Sequence, residues 1–376
     1  PLHTFVSMEF EWSLAKQPDT EVVEHLRSQL GIHPTLCALL AIRGIDNFND
    51  ARSFFRYSPD DLHDPFEMKG MQLAVDRISQ ALEENEHILV YGDYDVDGST
   101  AVSLFYSFLK KQYENVSFYI PDRYSEGYGL SKKGVEEAEK RGASVMVTLD
   151  CGIRATEMVE LANEKGIDVI ICDHHLPGQK LPQAWAILDP KQENCEYPFK
   201  ELSGCGIGFK LAQALNLHLG LMEDESQWLD LVAISTACDI VPMVGENRVL
   251  AGLGLSKINE QPRPGIKAMI DSRNREGAVS ISDLVFFIGP RINAAGRIQH
   301  AHNAVELLLA EDEALSKSWL EKIETFNTDR KQLDESITEE ALEALNSCTT
   351  EHVTVVHSSS WHKGVIGIVA SRLIES

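Results

Sequence analysis

Between His87 and Leu188, short apolar runs alternate with helical patterns, and this alternation narrows the fold more than any other feature. The runs are Ile88–Tyr91, Val116–Ile120, Ser144–Leu149, Asp168–Cys172 and Ala184–Leu188. Each is too short for a buried helix and too continuously apolar for a strand with one wet face. Between them lie amphipathic patterns such as "LSKKGVEEAEKRG", with Ser131 placed to cap its start and Gly142 past its end. "RATEMVELANEKG" ends the same way at Gly166. Strands joined through helices run parallel, because a tight turn cannot make the crossover. The expected class is α/β: a parallel five-stranded sheet flanked by helices on both faces.

The flanks read differently. Residues 1–55 look like an N-terminal helical extension, with "TEVVEHLRSQLG" ending at Gly31 and "NDARSFFRY" following. The main domain is expected over 56–312, mostly helical past Gly204. A connecting helix is expected over 313–346, free of Gly and Pro, carrying Leu315, Trp319, Ile323, Phe326, Leu333, Ile337 and Leu345 at helical spacing. A helix this long suits a bridge between lobes. After it "HVTVVHSSS" restarts strand-like alternation and "WHKGVIGIVASRL" begins a helix. Residues 347–376 therefore read as the beginning of a second α/β domain, and the chain as a fragment. No internal repeat or low-complexity segment stands out.

Composition sets outer limits. The chain has 376 residues, 43% of them hydrophobic, enough for a large core and more than one domain. Seven cysteines without a CxxC pair point to buried thiols in a reducing cytoplasm. No stretch approaches the roughly 18 apolar residues of a membrane span, and the first residues lack the pattern of a signal peptide. The net charge of −24 argues against non-specific nucleic-acid binding. It leaves open an enzyme that meets phosphates through bound cations.

The chemistry gathers at the ends of the strands. The first runs into "GDYDVDG", placing Asp93, Asp95 and Asp97 at alternate positions just before a helix. The third ends at Asp150, and the fourth at Asp173, His174 and His175. Open parallel sheets bind ligands outside the carboxyl ends of their strands, so these groups converge on one crevice. Carboxylates that repel one another are held together by a cation, and oxygen ligands with imidazole suit Mn²⁺ or Mg²⁺. Two such ions about 3.5–4 Å apart activate water and clamp a phosphoryl group for in-line displacement. A lone DxDxDG also occurs in calcium loops, but here it follows a strand and lacks the distal Glu. Asp150 alone reads equally as a helix cap, and Asp189, before Pro190, as a turn residue.

The segments "YGDYDVDGSTA", "TLDCG", "ICDHH" and "TACDIVPM" resemble, in order, the four motifs of the DHH phosphoesterase superfamily. The blocks "PDRYSEGYGL", "SGCGIGFKLAQAL", "GPRINAAGR" and "WHKGVIGIVASRL" are similar to its bacterial single-strand-specific exonuclease branch. The resemblance runs from "FEWSL" onward. It implies a DHH domain over 56–312 and the start of a DHHA1 domain over 347–376. The branch's later glycine- and histidine-rich motif and its OB domain have no counterpart here.

That resemblance implies roles. Asp95 and Asp97 would be metal ligands, with Asp93 beside them. Asp150 would bridge two ions, and His174 and Asp239 would complete the second site. His175 would face the scissile phosphate, and Asp173 would orient the histidine ligand. Asp95, Asp150 and His175 would thus carry the chemistry. Tyr91 stands where pyrophosphatases of the superfamily have a histidine, which implies a weaker first site. Arg123 would grip a 5′-phosphate. Arg291, Asn293 and Arg297 would track a DNA backbone, and Ser371 and Arg372 would also touch phosphate. For the arginines the competing reading is structural.

The expected function is a metal-dependent exonuclease degrading single-stranded DNA from the 5′ end in recombination and repair. The resemblance implies a single-strand-binding protein and a RecQ-type helicase as partners, no membrane, and a monomer. The alternatives are a DHH phosphodiesterase of small substrates, such as cyclic dinucleotides or short oligonucleotides, and a non-catalytic DHH scaffold.

Overall fold

The computed structural model describes residues 12–273, 276–345, 353 and 355–374. The first apolar run forms β1 (His87–Gly92), followed by β2 (Val116–Tyr119), β3 (Ala143–Leu149), β4 (Asp168–Cys172) and β5 (Ala186–Leu188). All pair in parallel, in the order β2-β1-β3-β4-β5. The fifth strand starts at Ala186 rather than Ala184, since the backbone enters the ladder only at the Ile170–Ala186 pair.

The helices fall in two units, divided after Ser58. The first holds α1 (Thr20–Leu30), α2 (Pro34–Ile42) and α3 (Phe48–Phe55) around Leu26, Cys37, Leu40 and Ala51. Asp19 caps α1 by accepting from the Glu21 N–H, and Gly31, at φ 65°, ends it.

In the second unit α4 (Met71–Glu83), α5 (Val96–Gln112), α6 (Lys132–Lys140) and α7 (Thr156–Glu164) interleave with the strands. Ser131 caps α6 as expected, accepting from the Gly134 N–H at 2.9 Å. Then come α8 (Gly204–Leu219), α9 (Leu229–Cys238), α10 (Gly245–Glu260), α11 (Pro264–Asp271) and the short turn α12 (Ile281–Asp283). A wide helical turn, Leu284–Ile288, leads to α13 (Gly289–Ile298) and α14 (His302–Leu309). The long α15 (Glu313–Leu345) and α16 (Ile366–Ile374) complete the described elements.

Alternate strand residues serve opposite faces. Ile88, Val90, Val145, Val147, Ile170 and Cys172 join one core with α4, α5 and α8. Leu89, Tyr91, Met146, Val169 and Ile171 join another with α6 and α7. The strands are apolar throughout because both faces are covered. The apolar helix α9 is buried from Leu229 to Ala237, packed among α5, α8 and α10. Each Val, Leu or Ile enclosed this way contributes about 1.5–3 kcal/mol of burial.

Helix α15 lies along α11, α13 and α14, and then against α16. Its buried face is Ser316, Leu320, Ile323, Asn327, Asp334, Ile337 and Ala341. That seam includes polar positions the apolar spacing does not mark, while Leu315 is exposed. The strand expected over "HVTVVHSSS" is not formed by its described residues. Val353 and residues 355–358 are irregular, and Val353 and Val355 are exposed. A strand needs a ladder partner, and among the described residues none lies beside it. His352 and Thr354 lie outside the described residues. None of the described cysteines forms a disulfide, and among the described residues no helix is long and apolar enough to cross a membrane.

Candidate metal centre

Strand register sets the height of the carboxylates. Gly92 pairs with Leu149, and Leu149 with Cys172. The next residue of each strand is Asp93, Asp150 or Asp173, so the three acids stand along one edge. The chain leaves β1 for β2 on one side and returns to β3 on the other. The crevice between β1 and β3 is thus the switch point where open α/β sheets bind ligands.

Local geometry then fixes each group. Asp95 caps α5, its Oδ1 accepting from the Gly98 N–H at 3.1 Å. A Cβ on Gly98 would collide with the backbone of Asp93, so the tight turn into the helix demands glycine. Asp97, within the first turn, accepts from the Gly204 N–H at 2.6 Å and the Cys205 N–H at 2.7 Å. The hydroxyl of Ser235 lies 2.6 Å from it. The start of α8 and the middle of α9 therefore clamp Asp97. Asp150 has φ 60°, which bends the chain off β3. A Cβ on Gly204 would lie 2.6 Å from that of Asp150, so α8 approaches only because residue 204 is glycine.

His174 draws these groups together. Its Nε2 is 3.2 Å from Asp150, 3.4 Å from Asp239 and 3.7 Å from Asp97. Asp239 reaches this point as the C-terminal cap of α9. Three sets of ligand atoms lie close enough to share an ion: Asp93, Asp95 and Asp150; Asp97, His174 and Asp239; and Asp150, His174 and His175. Asp150 belongs to two of them.

Without a cation the cluster is electrostatically frustrated. Burial, then Asp95, pushes Asp93 up to about 8. Burial, then Asp97 and Asp95, pushes Asp239 up to about 8. Asp150 is pushed well above the usual carboxylate range by burial and then by Asp97, Asp95, Asp93 and Asp239. Burial also lowers His174. Oδ2 of Asp93, Oδ1 of Asp150 and both ring nitrogens of His174 are buried without a hydrogen-bond partner among the described residues. Orphaned oxygens beside an imidazole kept neutral are the donor set that Mn²⁺ or Mg²⁺ takes.

Asp173 corrects one expectation. It does not orient His174: its Oδ1 accepts from Nδ1 of His175 at 2.7 Å. The other carboxylate oxygen accepts from the Ile153 N–H at 2.9 Å. The two imidazoles meet edge-on with 4.6 Å between centroids, and only the second bonds the Asp173 carboxylate. The far nitrogen of His175 meets the hydroxyl of Tyr128 at 3.1 Å. Sequence reasoning misses Tyr128, whose only signal is its place in the glycine-flanked "EGYGL". Ser235, within an apolar helix, carries no signal at all. Tyr91 offers nothing to the carboxylates, since its hydroxyl donates to the Gly129 carbonyl at 2.8 Å. Asp189 does hold a turn, accepting from the Lys191 N–H at 2.7 Å.

The arginines divide. Arg123 lies over the Tyr94 ring, 5.0 Å from its centroid, close to the carboxylates. Arg297 lies near Arg123, and its Nη1 donates to the Gly364 carbonyl at 3.0 Å. Arg291 is committed to the scaffold: it pairs with Glu324 at 2.6 Å, donates to the Phe287 carbonyl and stacks on the Phe287 ring. Asn293 is half-buried on the same helix. Arg372 pairs with Asp334 at 2.8 Å, and the hydroxyl of Ser371 donates to the Gly367 carbonyl.

Residues 87–236 match the family model described as "DHH family, N-terminal domain". The single-stranded-DNA-specific exonuclease RecJ of Bacillus subtilis (strain 168) is 42% identical over 98% of this chain, which covers 47% of that protein. A crystal structure of exonuclease RecJ bound to manganese matches with a TM-score of 0.75 at 32% identity, covering 82% of this chain and 78% of that one. RecJ from Thermus thermophilus in complex with Mn²⁺ matches with a TM-score of 0.81 at 27% identity, over 96% of this chain and 52% of that one. The chain spans about half the length of the curated relatives it matches.

Proposed function

This chain belongs to the RecJ family of DHH proteins, and from that premise we propose that it is the catalytic core of a single-stranded-DNA-specific exonuclease working from the 5′ end. The observation that carries the reading is the placement of His174 Nε2 within 3.2–3.7 Å of Asp150, Asp239 and Asp97. A second carboxylate group shares Asp150. Asp93, Asp95 and Asp150 would hold one divalent cation, and Asp97, His174, Asp239 and the same Asp150 the other. Bound Mn²⁺ or Mg²⁺ supplies charge that acidifies water and neutralises a phosphoryl group.

The protein's own groups do the rest. Asp97 and Asp150 are held by α8, α9 and the bend after β3, so the anionic pocket is built before substrate arrives. His175, tied by Asp173, keeps its far nitrogen at the crevice, where it can donate to a phosphoryl or leaving oxygen. Arg123, on Tyr94, offers a guanidinium to a terminal 5′-phosphate. Arg297 adds a second cation, and Asn293, Ser371 and Arg372 are secondary candidates for backbone contact, whereas Arg291 is held by Glu324. Work in recombination and repair in the cytoplasm, alongside a single-strand-binding protein and a helicase, follows from the same family reading.

The test is digestion of end-labelled single strands with Mn²⁺. Mononucleotides released first from the 5′ end support the reading. Release from the 3′ end, or none from a metal-loaded protein, sinks it.

A further inference from the structure

The loop between β2 and α6 carries both Arg123 and Tyr128, and its two halves are anchored separately. The half with Tyr128 hangs on β1. The Tyr91 hydroxyl donates to the Gly129 carbonyl at 2.8 Å and accepts from the Ser131 N–H at 3.2 Å. The half with Arg123 hangs on Glu126. Oε1 of Glu126 accepts from the Asp122 N–H and from the Tyr119 hydroxyl, each at 2.9 Å. Its Oε2 accepts from the Ser131 hydroxyl at 2.7 Å. In return the Glu126 N–H donates to the Asp122 carbonyl at 2.9 Å. Inside this ring, Oδ1 of Asp122 accepts from the Tyr124 N–H at 3.1 Å and the Ser125 N–H at 2.8 Å. Arg123 therefore stands on one closed turn whose two ends meet at a single carboxylate.

That carboxylate is 1% exposed. Burying one is costly unless its oxygens are bonded, and here both are. Burial pushes Glu126 up, but the Asp122 N–H, Ser131, Tyr119 and Lys133 together pull it below its usual value. Three of the partners lie outside the turn. Tyr119 ends β2 and stacks on Tyr91 with 5.7 Å between centroids, Ser131 caps α6, and the exposed Lys133 approaches from that helix at 3.3 Å. The anchor is thus the sheet and its next helix. Tyr124 adds a tie on the outer side, its hydroxyl donating to the Arg297 carbonyl. The Arg123 guanidinium rests on the face of Tyr94, a contact less directional than hydrogen bonds, so its aim depends on the turn that carries it.

We propose that Glu126 is a positioning residue for end recognition: by closing the turn onto Tyr119 and Ser131, it aims the Arg123 guanidinium at a terminal 5′-phosphate. The inference rests on the reading of Arg123 given above. Because Tyr128 is held from β1, losing Glu126 should loosen Arg123 far more than the hydroxyl that meets His175.

The experiment measures kcat and KM on single strands with 5′-phosphate or 5′-hydroxyl ends, for the wild type, Arg123→Ala, Glu126→Gln and Glu126→Ala, beside Mn²⁺ affinity by calorimetry. The wild type should prefer phosphate ends, and Arg123→Ala should lose that preference. Glu126→Ala should raise KM for phosphate ends about tenfold, the loss of one charge-assisted hydrogen bond, with much smaller changes in kcat, in KM for hydroxyl ends and in Mn²⁺ affinity. Glu126→Gln keeps an acceptor for Asp122 and Tyr119 and should fall between. General loss of stability would act on both ends together. An equal effect of Glu126→Ala on both ends, a loss confined to kcat, or a preference kept in full therefore overturns the proposal and leaves the reading of Arg123 standing. If Glu126→Ala does not fold, Glu126→Gln decides alone, and an undiminished preference in it overturns the proposal. A wild type without end preference, or Arg123→Ala that retains it, overturns both.

Discussion

Asp173 grips the imidazole of His175 and not that of the adjacent His174, its Oδ1 accepting from Nδ1 of His175 at 2.7 Å and from only the backbone N–H of His174. The bond raises His175 above its ordinary pKa. Burial pushes Asp173 up, but the bond from His175 and the backbone N–H donors pull it below its usual value.

Asp173→Asn should therefore lower kcat by about 10–100-fold while leaving Mn²⁺ affinity nearly unchanged, because the imidazole it orients is not the one that three carboxylates, Asp97, Asp150 and Asp239, surround. A group with a depressed pKa stabilises the fold fully above its unfolded value. The stability gap between wild type and variant should thus be widest between about pH 4 and pH 6.5, closing as pH falls through Asp173 and narrowing as pH rises through the raised His175. Calorimetric metal binding beside steady-state kinetics checks the first point. A large loss of Mn²⁺ affinity would show that Asp173 serves His174 after all.

Metal-free protein should lose stability as pH rises. Asp93 and Asp239 are pushed up to about 8, so the folded state holds protons that the unfolded chain releases near pH 4. Stability in chelator should fall between about pH 4 and pH 8, and Mn²⁺ should reverse the trend. Thermal unfolding at pH 5.5 and pH 8 measures it, and a flat profile in chelator would contradict the buried-carboxylate picture.

Asp150→Asn should abolish nuclease activity yet raise the midpoint of the metal-free protein at pH 8, by about 3 °C for each ~1 kcal/mol gained. Asn is the choice because position 150 sits at φ 60°, which Asn tolerates and Ala does not favour. Substantial activity in the folded variant would remove Asp150 from the centre.

Gly204→Ala places a Cβ 2.6 Å from that of Asp150. Either α8 retreats, pulling N–H donors from Asp97, or Asp150 shifts. The expected cost is about 1–3 kcal/mol of stability, together with weaker Mn²⁺ binding. Unchanged metal affinity would mean that the approach of α8 is incidental to the site.

Arg123 and Arg291 should separate by substrate. Arg123→Ala should weaken cleavage of 5′-phosphorylated ends more than of 5′-hydroxyl ends. Arg291→Ala should act equally on both and lower stability, with a coupling to Glu324 of about 0.5–1 kcal/mol in a double-mutant cycle. Equal effects of Arg123→Ala on both ends would make Arg123 a general contact.

Much of this was legible in the chain. Strand periodicity and the caps at Ser131, Gly142 and Gly166 are local signals, set by backbone geometry within a few residues, and they define β1 to β4, α6 and α7 closely. The carboxylates at the strand ends were legible for the same reason: a parallel sheet presents its carboxyl edge together. Asp239 was different. From the residues alone it reads as a helix terminus, and only the packing of α9 against α5 and α8 carries it to His174. The described residues of the strand expected at 352–360 do not form one, because alternation describes a surface, whereas a strand exists only when a neighbour completes its hydrogen bonds. The sheet, its helices and the anionic edge thus follow from neighbours in the chain. Which imidazole Asp173 holds, that Tyr128 closes on His175, and that Arg291 belongs to Glu324 emerge only when the chain is packed. Those pairings join residues far apart or turn on the angle at which a strand ends, and no period in the sequence encodes that.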